Sequence, residues 1–177
     1  MVVFVAGVHG VGKTYLCERF SAISGIQHAS ASSLIKEELK TANWESNKLV
    51  SDIDSNQIAL TAAVIRITKN SKRLLLDGHF ILKKKDNSLA AVHENTFKDL
   101  NLSMIFLIES ETEVIRDRLI SRDSNTSAGD IESFLQEERS RASFISNFLK
   151  IPLITLNQPS EEIFNTHLTK AFATNQH

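Results

Sequence analysis

Residues 7–14 carry the clearest chemical signature in the chain, reading Gly-Val-His-Gly-Val-Gly-Lys-Thr. Two glycines separated by four residues, then lysine and threonine, are typical of a loop that binds the phosphates of a nucleoside triphosphate. In such a loop, backbone N–H groups converge on phosphate oxygens, and the positive end of the next helix adds to the attraction. We expect Lys13 to reach the β- and γ-phosphates and Thr14 to bind Mg²⁺. The residues predicted to contact the nucleotide are Gly7, Gly10, Val11, Gly12, Lys13, Thr14 and Tyr15.

A carboxylate that could share the Mg²⁺ with Thr14 is Asp77. It follows Arg73 and the three leucines at residues 74–76, as an acid at the carboxyl end of a buried strand would. Phosphate-binding loops need such an acid for their metal, so we predict that Asp77 belongs to the Mg²⁺ site. The alternative is an ordinary turn aspartate, because Asp77 is followed by Gly78 and that pairing is common in turns.

Two arginines precede a small polar segment at residues 123–129. Arg118 and Arg122 are four residues apart, so they share one face of a predicted helix. A pair of guanidinium groups beside a flexible loop is suited to a lid that neutralises charge on a transferring phosphoryl group. The alternative is a solvated helix face on which Asp117 and Asp123 serve as ion-pair partners.

Three further groups of basic residues are candidates for contacts with the nucleotide or with a second substrate. Arg139 and Arg141 lie two apart on a predicted helix, so only one of them can face the nucleotide, and the spacing does not decide which. Lys36, with the serines before it, could meet a second substrate or belong to a capped surface helix. The lysines at residues 83–85 could bind an anionic substrate or form a solvated hairpin tip.

An alternation of strands and helices must position these side chains. Strands are predicted at residues 2–6, 26–29, 73–77, 104–108 and 152–157, with helices at about 13–24, 34–39, 58–67, 111–122, 130–150 and 160–173. Residues 82–89 are predicted to form a hairpin, 94–97 a helical turn, and 41–56 a mobile connection. The pattern predicts an α/β fold with a doubly wound, five-stranded parallel sheet and helices on both faces. The phosphate loop would lie at the carboxyl ends of its strands, where such sheets bind ligands.

The composition excludes several other classes of protein. The 177 residues have a formal net charge of -1, which gives no general attraction to nucleic acid. Cys17 is the only cysteine, so no internal disulfide can form, and we expect it to be a small packing residue. The histidines show no metal-binding spacing. No apolar run is long enough to span a membrane and no signal peptide is evident, so we expect a cytoplasmic protein.

In order along the chain, these segments resemble the P-loop nucleoside-monophosphate kinases, nearest to the adenylate-kinase-like group of small ATPases. Residues 32–36 stand where adenylate kinases carry Gly-Asp-x-Leu-Arg, and residues 77–80 where they carry Asp-Gly-Phe-Pro. Residues 136–142 resemble the helix after the lid, and the spacing to Ala142 favours Arg139 as the arginine that touches both nucleotides. The resemblance implies Lys13, Arg118, Arg122 and Arg139 as catalytic residues. It implies that the acceptor is bound by Ser32, Ser33, Lys36, Gly78, His79 and Phe80.

Two positions depart from the family pattern at the acceptor site. The arginine expected after Asp-Gly-Phe-Pro is replaced by Ile81, and the arginine closing Gly-Asp-x-Leu-Arg by Lys36, which cannot bind phosphate bidentately. AMP is therefore a doubtful acceptor. We expect one P-loop kinase-like domain over residues 1–177, with an acceptor region at about 30–60, a hairpin insertion at about 81–98 and a short lid at about 118–130.

Two functions are consistent with these observations. The first is an ATP-dependent phosphotransferase with ATP and Mg²⁺ as cofactors, which transfers the γ-phosphoryl group to a small acceptor, with nucleotides among the candidates. The second is an adenylate-kinase-like ATPase that acts as a nucleotide-dependent switch or assembly factor with a protein or RNA partner. Neither function calls for a membrane.

Overall fold

Seven strands and seven helices follow one another in the computed structural model, which describes residues 1–41, 52–83, 88–122 and 131–173. The strands are β1 (Val2–Ala6), β2 (Gln27–Ser30), β3 (Leu74–Gly78), β4 (Ile81–Lys83), β5 (Leu89–Ala91), β6 (Leu102–Glu109) and β7 (Leu153–Asn157). The helices are α1 (Lys13–Ser24), α2 (Ala31–Thr41), α3 (Asp52–Asn70), α4 (Glu94–Asp99), α5 (Thr112–Arg122), α6 (Ile131–Leu149) and α7 (Glu161–Ala173).

Five of the strands form one parallel sheet in the order β2-β3-β1-β6-β7. The central strand β1 consists of three valines, Phe4 and Ala6, all of them buried, as a parallel sheet covered on both faces requires. The sheet confirms the predicted doubly wound α/β fold. Since all five strands run in the same direction, the phosphate loop after β1 and Asp77 near the end of β3 lie at the same edge of the sheet.

Alternate side chains of β1 enter two separate hydrophobic cores. Val2, Phe4 and Ala6 pack on one face, against residues that include Leu60 and Val64 of α3. Val3 and Val5 pack on the other face, with side chains of α1, α5 and α7 that include Leu16, Phe20, Ile115, Phe164 and Leu168. Helices therefore cover both faces of the sheet, and the strand that leads into the phosphate loop is fixed from both sides.

Three connections were predicted less accurately than the sheet. Helix α3 begins at Asp52, so residues 52–56 are helical and do not belong to the predicted mobile connection; residues 42–51 lie outside the described part of the chain. The predicted hairpin is confirmed, because β4 and β5 pair antiparallel, although residues 84–87 are not among those described. The predicted polar loop at 123–129 also lies outside the described ranges.

Within the described ranges, no helix combines the length and the hydropathy that crossing a membrane requires.

Candidate active site

The phosphate loop leaves β1 through a glycine that no other residue could replace. Gly7 has a φ of 149°, and a Cβ atom there would lie 2.5 Å from the carbonyl oxygen of Ile108 on β6. Gly12 has a φ of 100° and is the N-cap residue of α1, which begins at Lys13. The first amides of a helix have no acceptor within the helix. The N-terminus of α1 is therefore a ready site for an anion such as a phosphate group.

Lys13 is buried at the start of α1 and contacts a histidine from the end of β3. Its Nζ atom lies 3.2 Å from Nε2 of His79. Because an ammonium group can only donate, Nε2 accepts and the His79 proton resides on Nδ1. Burial, followed by the positive charge of Lys13 and by His9, lowers the pKa of His79 to about 2. His79 is therefore a neutral imidazole that fixes the direction of Lys13 and adds no charge to the site.

Asp77 uses its two carboxylate oxygens for two different partners. The Thr14 hydroxyl donates to Oδ1 over 3.2 Å, and His28 on β2 donates from Nε2 to Oδ2 over 2.7 Å. The hydroxyl and the carboxylate are hard oxygen donors of the kind that Mg²⁺ prefers. Thr14 and Asp77, the two residues predicted to hold Mg²⁺, are therefore in contact and offer suitable oxygen atoms. The structure also brings His28 to this site, which the sequence analysis did not assign to it.

Cys17 lies directly beneath this pair, on the core side of α1. It is fully buried, as predicted for a packing residue, and burial raises the pKa of its thiol well above the usual value. Its Sγ atom, the His28 ring nitrogen and an Asp77 oxygen all lie within 4.8 Å of one another. The three residues come from α1, β2 and β3, which is why spacing along the sequence does not reveal the cluster.

Arg118 of α5 is already at the phosphate loop. Its guanidinium donates to the carbonyl oxygens of Val11, over 3.0 Å, and of Gly10, over 3.3 Å. The side chain is exposed and would be free to follow a bound phosphate. The side chain of Arg122, the other member of the predicted pair, lies outside the described atoms.

Arg139 and Arg141 point to different parts of the molecule, as their spacing predicts. Arg139 forms a two-point ion pair with Glu109, with distances of 2.7 and 3.0 Å. Glu109 follows Ile108, so this pair lies at the phosphate-loop end of the sheet. Arg141 instead donates to Glu94 and to the Val92 carbonyl oxygen, each over 2.7 Å, and so ties α6 to the start of α4.

Glu138 is a further residue of the site that sequence reasoning missed. It is 1% exposed on α6, and its carboxylate accepts from the N–H groups of Phe80 and Ile81 over 2.8 to 3.1 Å. These amides belong to the turn that carries His79. The sequence signal was available, because residue 138 lies seven positions after Ile131 and four before Ala142, both of which are buried. An acid within the buried stripe of a helix needs a specific partner.

The phosphate loop opens onto a cavity of about 850 Å³ that reaches towards α2, α3 and α4. Of the residues predicted to bind an acceptor, Ser32, Gly78 and His79 line it. Other polar and apolar lining residues include Lys13, Thr14, Tyr15, Ser30, Ile35, Asn56, Gln57, Leu60, Asp77, Leu82, Val92 and Thr96. Among the described arginines, none is part of this lining.

Three of the predicted acceptor residues lie elsewhere. Phe80 is fully buried, with its ring centroid 5.1 Å from that of Phe4 and 4.8 Å from that of Phe97. The ring packs in the aromatic core and the N–H donates to Glu138, so the Phe80 side chain does not line the cavity. Ser33 lines a smaller neighbouring cavity, and Lys36 is an exposed residue of α2 that lines neither.

One protein-family model matches most of this chain. The model of the family described as "AAA domain" matches residues 6–135, a segment that contains the phosphate loop, Asp77 and Arg118. The chain belongs to this AAA domain family. The match covers more than half of the chain, and it confirms the predicted P-loop relationship.

One similar protein of known activity is adenylate kinase isoenzyme 1 of Caenorhabditis elegans. It is 24% identical over 124 residues, which are 65% of this chain and 57% of the relative. The matched segment thus spans little more than half of the length of that kinase. This similarity agrees with the resemblance to adenylate kinases that the sequence motifs indicated.

Several solved structures have a similar fold, and some of them are named as kinases. The YorR protein of Bacillus subtilis, in complex with phosphorylated GDP, aligns over 100% of both chains with a TM-score of 0.62 and 15% identity. Shikimate kinase from Acinetobacter baumannii, in complex with shikimate, gives a TM-score of 0.58 at 14% identity and covers 99% of this chain and 94% of its own. A gluconokinase from Sinorhizobium meliloti gives 0.54 at 14% identity, covering 99% and 97%. At these identities the AAA domain chain shares with them a kinase-like P-loop fold.

Proposed function

We propose that this chain is a Mg²⁺-dependent phosphotransferase that passes the γ-phosphoryl group of ATP to a small molecule. The observation that carries the proposal is the shared cavity, in which Lys13, Thr14 and Asp77 face the same space as Ser32 and Gln57. A volume of about 850 Å³ is in the range of small-molecule sites. An acceptor can therefore lie next to the phosphates with no further opening of the described residues.

The residues around the phosphates would act by position and charge. Phosphoryl transfer needs little covalent help from a protein, since alignment and neutralisation of charge supply most of the rate enhancement. Lys13 would contact the β- and γ-phosphates, while Thr14 and Asp77 would hold Mg²⁺, which neutralises charge on the phosphate oxygens. Arg118, which donates to carbonyl oxygens of the loop, would contact the phosphates, and we assign Arg122 and Arg139 to the same task.

The acceptor would lie between α2 and α3 on one side and β4, β5 and α4 on the other. We assign Ser32, Gly78 and His79 to this part of the site because they line the cavity. The relatives named as adenylate kinase, shikimate kinase and gluconokinase support a small-molecule acceptor. They do not agree on its chemistry, so a broad panel is the appropriate test.

Thin-layer chromatography after incubation with γ-labelled ATP, Mg²⁺ and a panel of nucleoside monophosphates, nucleosides and small hydroxy acids tests the proposal. Label in a new spot, lost in Lys13→Ala and retained in Lys98→Ala on the exposed face of α4, would support it. Lys13→Ala should keep its thermal stability, because the side chain faces the ligand. Label only in free phosphate across the whole panel would favour the nucleotide-dependent switch. Wild-type turnover by folded Lys13→Ala would remove the basis for either function.

A further inference from the structure

The carboxylate of Glu138 holds a turn of the backbone from below. One oxygen accepts from the N–H of Phe80 over 2.9 Å, and the other accepts from Phe80 and Ile81 over 3.1 and 2.8 Å. A buried carboxylate loses its hydration, and only hydrogen bonds of this kind offset that loss. An apolar residue of similar size would fill the same space without that cost, so the retained acid points to a task other than packing.

The turn that Glu138 holds, residues 78–81, follows Asp77 and carries His79. Phe80 is fixed on one side of the turn by the aromatic core, and Glu138 fixes its amide on the other. His79 lies between these anchors and the phosphate loop, with Nε2 3.2 Å from Nζ of Lys13. A continuous line of contacts thus leads from Glu138 through the turn to the lysine of the phosphate loop.

We propose that Glu138 is a positioning residue, which holds the turn at residues 78–81, and through it His79 and Lys13, in the arrangement needed for phosphoryl transfer. This inference rests on the proposed function. Helix α6, which carries Glu138, begins at Ile131, immediately after the segment predicted as a lid. The residue that follows Glu138 is Arg139, which pairs with Glu109 at the phosphate-loop end of the sheet. The helix therefore reaches the reacting groups through two adjacent residues, one in the core and one at the surface.

Ionisation of Glu138 gives a second readout of the same task. Burial raises its pKa to about 7, against the opposing effects of the Phe80, Ile81 and Gly7 N–H groups and the charge of Lys13. The ionised carboxylate accepts all three hydrogen bonds better than the protonated form can. Turnover by the wild-type protein should therefore rise with pH around 7 in step with the ionisation of this group.

The first experiment compares Glu138→Gln with Glu137→Gln, an exposed neighbour on the same helix, as the matched control. We expect Glu138→Gln to lower kcat for ATP turnover by about tenfold or more, the scale of a misplaced catalytic group. The KM for ATP should change by less than about threefold. The rise of turnover around pH 7 should also disappear, while Glu137→Gln behaves as the wild type. Equal kcat values for the two variants, or a loss that only follows the unfolded fraction, would overturn the inference.

A second experiment needs no activity and so separates this inference from the proposed function. In NMR spectra of the wild-type protein, the amide protons of Phe80 and Ile81 should titrate with a midpoint near 7, and the His79 ring signals should move with them. Glu138→Gln should abolish this titration and speed hydrogen exchange at both amides. If no ATP turnover is found but these amides titrate, the proposed function fails and the positioning contact stands. If the Phe80 and Ile81 amides of the wild-type protein do not titrate, the positioning contact with Glu138 is overturned. This outcome counts even if the enzyme is active, and it does not depend on whether Glu138→Gln folds.

Discussion

The two carboxylate oxygens of Asp77 have different partners, Thr14 of the phosphate loop and His28 of β2. With Oδ2 held by the His28 ring, Oδ1 is left facing the Thr14 hydroxyl. Replacing a residue that orients a metal ligand in this way commonly lowers metal affinity by about 10- to 100-fold. If Asp77 holds Mg²⁺ as proposed, His28 would act on the metal through the orientation of Asp77.

Replacing His28 tests that role. His28→Ala should raise the Mg²⁺ concentration that gives half-maximal ATP turnover by about tenfold, because Asp77 loses the hydrogen bond that orients it. The exposed neighbour Gln27→Ala on the same strand is the control and should leave the Mg²⁺ requirement unchanged. An unchanged Mg²⁺ requirement in folded His28→Ala would show that Asp77 needs no such support.

Glu138 should leave a mark on the pH dependence of stability. Its pKa is raised from 4.5 to about 7 on folding, so between these values the native state binds a proton that the unfolded state has lost. By linkage, this group makes the free energy of unfolding fall as pH rises from about 4.5 to about 7, by about 3 kcal/mol. Glu138→Gln removes that contribution.

Urea unfolding of wild-type protein, Glu138→Gln and Glu137→Gln at pH 5, 6, 7 and 8 measures it. The stability of the wild type relative to Glu138→Gln should decrease from pH 5 to pH 7 and then level off. Glu137→Gln should track the wild type throughout. A difference between wild type and Glu138→Gln that is constant with pH would mean that the folded-state pKa of Glu138 is ordinary.

Helix α6 carries two arginines, Arg139 and Arg141, that are two residues apart and have different partners. Arg139 is exposed and pairs with Glu109 near the phosphate loop, whereas Arg141 is largely buried and ties α6 to Glu94 and Val92. Its guanidinium also lies 4.7 Å from the ring centroid of Phe144. The two arginines of α6 therefore contact different parts of the molecule, the carboxyl end of β6 and the segment that leads into α4.

Alanine substitution should separate these tasks. We expect Arg139→Ala to lower the rate at saturating ATP by roughly tenfold or more, as the loss of a charge contact in the transition state would. Arg141→Ala should change the rate little but lower the free energy of unfolding by about 1–2 kcal/mol, since charged hydrogen bonds that are partly screened by solvent are lost. Rate measurements and urea unfolding on both variants decide. Equal losses of rate, or the reverse order, would show that Arg139 has been assigned the wrong face.

The elements that sequence predicted best are those with a periodic apolar pattern. The five parallel strands and α1, α5, α6 and α7 were all predicted, because burial on one or both faces selects their residues. The first turn of α3 was missed, since residues 54–57 are polar and a solvated helical turn has no periodic signal. Glu138 and His28 were missed for another reason. Their partners lie about 50 residues or more away, and only the packed sheet brings them together.

At the scale of the whole molecule, the cavity proposed to take the acceptor has no arginine among its described lining residues, whereas adenylate kinases hold AMP with arginines. Ile81, which stands in the place of one of them, is buried in the core as the first residue of β4. Lys36, in the place of the other, lies outside the cavity. Both departures that the sequence indicated thus have a clear structural basis, and no described arginine compensates for them in the lining of the cavity.

AMP should therefore be a poor acceptor. Losing one bidentate arginine contact to phosphate costs roughly 1.5–3 kcal/mol, or about ten- to a hundredfold in affinity. We expect weak or absent phosphorylation of AMP together with measurable basal ATP hydrolysis. Steady-state kinetics with AMP tests this, and fast turnover with a KM in the low micromolar range would make the chain an ordinary adenylate kinase.

The lysines at residues 83–85 could supply the positive charge that the missing arginine would have provided, and this can be tested by substitution. Lys83 is an exposed residue of β4, while Lys84 and Lys85 lie outside the described ranges. If this run replaces the missing arginine, changing all three lysines to Ser should raise the KM for the acceptor without altering ATP affinity. Parallel loss of ATP affinity would instead place the run at the nucleotide.

The central position of β1 also has a consequence for the order in which the chain folds. Val2 pairs with Leu74 and with Leu102, so the strand is completed only when loops of about 70 and 100 residues have closed. Contacts so distant in sequence make folding slow. The phosphate loop cannot form before its strand, so ATP would find no binding site on the chain until after the folding barrier. Added nucleotide should accordingly slow unfolding while leaving the rate of refolding unchanged.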